Sequence, residues 1–171
     1  GTIIERRQIT RNISSWLSSA GDLVLDYEND KTYKVVKTIS DISLVIEQAW
    51  DEFNIIFETE PFQYGGLKTL SFDNPSTVVV NNQGTYEAET LISITGTGNV
   101  TVSSSDYLFT LTGMTEKLNI DSKRMLAYSD AKVNGISKHS GNFIKLKPGN
   151  NTITVTGSVS NMTVKFQDTY I

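Results

Sequence analysis

The feature that most narrows the fold is an alternation running from Leu118 to Thr156. Leu118 and Ile120 alternate with polar residues, and Ile153 and Val155 do the same near the end of the stretch. A period of two turns one face of each run inward, as in a strand with one buried side. Pro148-Gly149 lies between the apolar residues Phe143 and Leu146 and the run at Ile153. Proline presets φ at the first central position of a tight turn, and glycine accepts the positive φ of a type II second position. The stretch therefore predicts strand, turn, strand. Phe143, Leu146 and Ile153 are expected to face a core, with Pro148-Gly149 outside it.

The same pattern fills the chain from residue 65 onward, where Thr, Ser, Asn, Val and Gly dominate. Short strands are expected at 69–72, 77–80, 90–95, 99–103, 108–112, 118–121, 126–128, 142–146, 152–156 and 162–166. Spacings of this kind suit a β-sandwich. Gly96, Gly98, Gly113, Asn134-Gly135 and Gly157 read as the breaks between them, Asn-Gly being a strong hairpin signal. Tyr64-Gly65-Gly66 reads as a breaker cluster, which divides the chain into an N-terminal domain over 1–64 and a sandwich over 65–171.

The N-terminal part is more varied. Residues 2–9 open with β-branched Thr2, Ile3 and Ile4 and read as a short strand. Thr10 or Asn12 can cap a helix, along which Ile13, Trp16 and Leu17 form one apolar stripe until Gly21 stops it. Leu23, Leu25 and Tyr27 alternate as a strand, Glu28-Asn29-Asp30-Lys31 reads as a turn, and Tyr33, Val35 and Ile39 lie on the return strand. Residues 40–57 fit either one helical face (Ile42, Val45, Ile46, Ala49, Phe53) or two strands (Ile42, Leu44, Ile46, then Phe53, Ile55, Phe57), and periodicity leaves both open.

Composition excludes several functions. The absence of cysteine removes disulfides, thiol catalysis and thiolate zinc sites. The net charge of −4, with no basic cluster beyond Arg6-Arg7, argues against nucleic-acid binding. No apolar run approaches the roughly 20 residues of a membrane span.

Candidate chemistry is sparse. His139 is the single histidine, and Ser140 is beside it, but no orienting acid or oxyanion hole is evident locally for a triad. Glu58 with Glu60, and Glu87 with Glu89, are spaced to share a strand face; such pairs can serve a glycosidase or calcium, yet more often form a solvated face. Trp50, Tyr64, Tyr86 and Tyr107 can supply a sugar-stacking platform or pack in a core. Asn12, Asn99, Asn150 and Asn161 open formal glycosylation sequons, which a chain rich in Ser, Thr and Asn produces by chance. The reading is that no catalytic, cofactor or metal residue is present and that the protein is not an enzyme.

A resemblance covers most of the chain, from about Ile3 to Phe166. Trp16-Leu17, the run Leu23, Leu25, Asp26 and Tyr33, then Phe57 with Pro61-Phe62, resemble the N-terminal domain of the distal tail proteins of long-tailed phages. Leu118, Ile120, Asp121, Gly141, Phe143, Leu146, Pro148, Gly149, Asn151 and Ile153 resemble their C-terminal half. The resemblance implies a mainly β protein: a partial α+β belt domain of one helix plus strands, followed by a galectin-like sandwich. It favours strands over residues 40–57. It implies a structural virion protein at the distal end of the tail, made in the cytoplasm of the bacterial host. The implied partners are further copies in a hexameric ring, the tail tube, a tail-associated fibre or lysin protein, and receptor-binding protein. No nucleic acid, membrane or cofactor is implied. Family members carry additional strands ahead of the segment matching residues 2–9. The expectation is therefore that this chain forms a monomer or dimer and that the full-length protein closes the ring. The alternative is a carbohydrate-binding or adhesin-type sandwich.

Overall fold

The structure, a computed structural model, describes residues 2–17, 21–41 and 54–171. Among the described residues the protein is mainly β with one α-helix, and the chain divides into two compact units, Gly1–Gln63 and Tyr64–Ile171.

The first unit opens with helix α1 (Ile3–Leu17), where a strand was expected at 2–9. The β-branched residues are overruled by a capping box. The Thr2 hydroxyl accepts from the Glu5 amide at 3.3 Å, and the Glu5 carboxylate accepts from the Thr2 amide at 2.7 Å. Reciprocal bonds of this kind satisfy donors that every helix start leaves open. Glu5, Arg6, Arg7 and Gln8 then favour helix by propensity. Neither Thr10 nor Asn12 is a cap: the Thr10 hydroxyl donates to the Arg6 carbonyl one turn back, and Asn12 accepts from Gln8. Leu17 is buried and Ile13 half-buried, but Trp16 is 75% exposed, so the expected stripe loses its largest member.

Gly21 does not end the helix but begins β1 (Gly21–Leu25), which pairs antiparallel with β2 (Glu28–Asp41). Leu25 lies opposite Glu28, leaving Asp26-Tyr27 as the turn and placing Glu28 to Lys31 in the strand. The expected turn at Glu28 fails because Glu28 has strand partners. Its carboxylate accepts from the Tyr33 hydroxyl at 3.1 Å and from Gln63 at 3.4 Å, and pairs with Lys31 at 3.2 Å. The sheet of this unit runs β1-β2-β3, with β3 spanning Asn54–Asp73. The choice between helix and strands over 40–57 falls mostly outside the described residues; 40–41 and 54–57 are strand.

In the second unit the strands are longer and fewer than expected. β3 continues through Tyr64-Gly65-Gly66 without interruption, so the cluster ends no strand, although the division between the two compact units falls at Gln63/Tyr64. Gly65 is buried, and its carbonyl accepts from Gln167 at 3.0 Å. β4 is Thr77–Asn82, and β5 is a single strand from Ala88 to Ser103 where two were expected. β6 (Leu108–Met114), β7 (Leu118–Asp121), β8 (Leu126–Ser129), β9 (His139–Gly141) and β10 (Lys145–Leu146) follow, and β11 runs unbroken from Gly149 to Tyr170. The order is β3-β11-β5-β6-β9, with β4 on β11, β7 and β10 on β5, and β8 on β7.

The glycines read as breaks are bends. The β5–β11 register shifts between Thr156 and Ser158 and again between Val159 and Asn161. Gly157 has φ +112, and a Cβ there would lie 2.4 Å from the Asn99 carbonyl oxygen; one on Gly96 would lie 2.3 Å from that of Ser158. No side chain fits at either crossing, and each bulge adds a local bend and twist. Beyond the bend the same two strands contribute to the same core: Ile92 and Ile94 precede it in β5 and Val100 and Val102 follow, while Val155 precedes and Met162 and Val164 follow in β11. Phe109, Leu111, Leu118, Ile120, Leu146 and Ile153 complete that core.

Leu146 and Ile153 are fully buried, and Phe143 packs partly buried against the same core. Pro148 and Gly149 are exposed, and Gly149 has the positive φ expected of the turn, +87. Asn151 locks that turn: its carboxamide accepts from the Lys147 amide and donates to the Lys147 and Gly149 carbonyls at 2.7 and 3.0 Å. Asn134-Gly135, by contrast, makes no hairpin. Gly135 has φ −112, its amide donates to the Ala127 carbonyl, and the chain enters a 3-10 turn over Ile136–Lys138. Of residues 142–146 only Lys145 and Leu146 form a strand.

Candidate functional site

His139 opens β9 at the edge of the sandwich. Its ring stacks on Phe143 with centroids 4.5 Å apart and tilts against Phe109 at 5.4 Å. Burial pushes its pKa below the ordinary histidine value, opposed by a backbone hydrogen bond at Asn142, and Nε2 is buried without a partner. A neutral imidazole between two phenylalanines is a packing element. No carboxylate orients it among its recorded contacts.

Glu87 and Glu89 have separate structural partners. Glu87 accepts from the Tyr107 hydroxyl at 3.3 Å, and Glu89 pairs with Lys145 at 3.6 Å. Burial and the neighbouring Glu87 carboxylate together push the Tyr107 pKa up. Glu58 is exposed on β3, where Glu60 is half-buried. The aromatic residues do not gather into a platform. Tyr64 lies under the Lys123 ammonium at 5.9 Å, Tyr86 bridges Thr169 through its backbone, and Tyr107 packs against the core; Trp50 lies outside the described residues. Three sequon asparagines also serve the fold. Asn99 accepts from the Gly113 amide, Asn150 accepts from Asn81, and Asn161 donates to Ser71 and Asp73. Among the described residues no three His, Asp or Glu side chains come together as a metal site, and no helix is long and apolar enough to cross a membrane.

Two surfaces were not evident in the sequence. The first is the exterior of the N-terminal unit. Among its described residues only Leu17 and Val35 are buried apolar side chains, whereas Ile4, Ile9, Trp16, Tyr27, Val36 and Ile56 are each more than half exposed. The second is a pocket of about 330 Å³ beside β8, lined by Arg124, Leu126, Ala127, Tyr128, Lys132 and Asn134. Its parts come from one hairpin and the loop that folds back on it, through the Tyr128–Asn134 bridge and the Gly135–Ala127 hydrogen bond.

Among the described residues the fold is one helix, a short antiparallel sheet and a bent β-sandwich, an arrangement it shares with a phage Dit protein. The chain is similar to a solved structure, that of SPP1 Dit (gp 19.1), described as a paradigm of the hub adsorption apparatus in phages infecting Gram-positive bacteria. The TM-score is 0.80 at 14% identity, over 100% of this chain and 74% of that one. No protein-family model and no curated protein matches the sequence.

Proposed function

We propose that this protein is a structural component of a phage or prophage tail, acting at the distal hub that joins the tail tube to the adsorption apparatus, and that it is not an enzyme. The observation that carries the reading is the fold likeness to SPP1 Dit along the whole chain. The N-terminal unit adds a physical reason. A unit whose described residues bury two apolar side chains and expose six large ones is poorly served by its own core, and exposed apolar surface of this extent marks an interaction face. Its occupant in this proposal is a second copy of the protein, in the ring of six that the full-length protein closes, each subunit offering two different surfaces. The tail tube and a tail-associated fibre or lysin protein then dock on the two sides of the ring, and receptor-binding protein attaches to the sandwich.

The test is immunogold labelling of purified particles with an antibody against the sandwich unit. Gold at the distal tip of the tail supports the proposal; gold on the capsid or along the tube, or particles that lack the protein by mass spectrometry, refutes it. Light scattering after size exclusion tests the ring separately.

A further inference from the structure

We infer that the pocket beside β8 is a binding site for a saccharide or polyol unit carrying a phosphate or carboxylate. Three observations converge on it. The lining holds two cations, Arg124 and Lys132, and no carboxylate, on a chain of net charge −4. A concave site lined by one sign of charge concentrates ions of the other. The nearby acids are already engaged. Asp130 is held by Asn119 at 2.9 Å and Lys117 at 3.2 Å and also feels the Lys132 charge, and Asp121 accepts from the Arg124 amide and pairs with its side chain at 3.9 Å, so these acids offset part of the two cations' charge from outside the lining.

The second observation is the composition of the wall. Leu126, Ala127 and the Tyr128 ring supply an apolar side, and the Lys132 ammonium sits 4.6 Å from the centre of that ring. The Asn134 carboxamide oxygen is taken by the Ile136 amide, which fixes the side chain, while its NH2 makes no hydrogen bond among the described residues. A fixed amide donor, an apolar wall and two cations match the hydroxyl, the ring face and the anionic group of a charged sugar. The volume of about 330 Å³ is at the small end of ligand pockets and suits one such unit rather than a peptide segment.

The third observation is backbone strain. Among the described residues three other than glycine have positive φ; two of them, Met125 at +54 and Lys132 at +62, flank or line this pocket. A long side chain held in the left-handed region is uncommon, and such residues cluster at functional sites. Lys132, with this backbone, has its ammonium over the Tyr128 ring. The inference does not depend on the tail-hub reading, because it rests on this hairpin alone.

Titration of the isotope-labelled protein at low ionic strength, followed by amide shifts, tests it with glucuronic acid, glycerol 3-phosphate, inorganic phosphate, glucose and an acidic peptide as probes. The expected result is saturable shifts at Arg124 to Asn134 with both anionic polyols, with Kd on the order of millimolar. Arg124→Gln or Lys132→Asn should weaken binding roughly tenfold, as loss of a charge-assisted contact does, while the melting temperature stays unchanged. Asparagine is chosen at 132 because it tolerates the left-handed region. Glucose should shift nothing. Inorganic phosphate binding as tightly as glycerol 3-phosphate would mean an adventitious ion only and would overturn the assignment. So would an acidic peptide that binds more tightly and loses affinity in the same variants, or shifts absent with every probe.

Discussion

Gly157→Ala tests the reading that β5 and β11 are bent strands of one sandwich. At φ +112 an alanine is strained by about 1–3 kcal/mol. Its Cβ would also sit 2.4 Å from the Asn99 carbonyl oxygen, whereas a close C···O contact is roughly 3.3 Å. The strands must then part by roughly 1 Å, weakening the flanking ladder at Thr156–Thr101 and Ser158–Thr97, where each hydrogen bond contributes about 0.5–1.5 kcal/mol. The sum is about 2–6 kcal/mol. In a unit of about 100 residues each kcal/mol moves the melting temperature by about 4–8 °C, so a fall of at least about 8 °C is expected. Gly149→Ala is the control: its φ is +87, but a Cβ there meets nothing within 4 Å. It carries backbone strain without the clash and should cost about 1–2 kcal/mol. Differential scanning calorimetry on both variants reads the difference. Equal falls would show that the two strands do not cross closely at Gly157, and the bend would have to be abandoned.

Leu146→Ala should destabilise the sandwich by about 2–5 kcal/mol, the range for a fully buried leucine; an unchanged urea midpoint would mean that β10 turns the other way. His139 has its folded pKa pushed below the ordinary value by burial, so the folded state binds a proton less readily than the unfolded chain. Its contribution to stability is complete above about pH 6.5 and is lost as pH falls from there through the lowered folded pKa. His139→Phe should flatten that part of the stability profile, and a profile identical to that of the parent protein would contradict the packing described. Thr2→Ala should remove about 1 kcal/mol of helix stability by opening the capping box, measured as faster amide exchange in the first turn of α1; unaltered exchange would place the helix start elsewhere.

The sandwich was legible because its signal is local and repeated. Alternation fixed which residues face inward at Leu118, Ile120, Leu146 and Ile153, and Pro148-Gly149 fixed a turn with the right sign of φ. Glycine misled wherever it served a crossing. Gly96 and Gly157 look like punctuation in the sequence because it does not record that a second strand passes within contact distance of each Cα. The helix was misread for a different reason. Thr2, Ile3 and Ile4 carry β-propensity of a few tenths of a kcal/mol each, whereas the reciprocal Thr2–Glu5 bonds satisfy two open donors together, and the pattern Thr-x-x-Glu was present to be read. The pocket beside β8 was invisible for the reason that hid the bends. Arg124, Tyr128, Lys132 and Asn134 show no periodicity that would single them out; they meet because a loop with a left-handed residue at Lys132 folds back onto β8. The same loop explains why Asn134-Gly135 closes no hairpin: Gly135 donates to Ala127 and spends its freedom on packing against Leu118, where a Cβ would meet Cδ2 at 3.1 Å. A turn motif read from sequence assumes that its residues answer only to the chain on either side, and here they answer to a neighbouring strand.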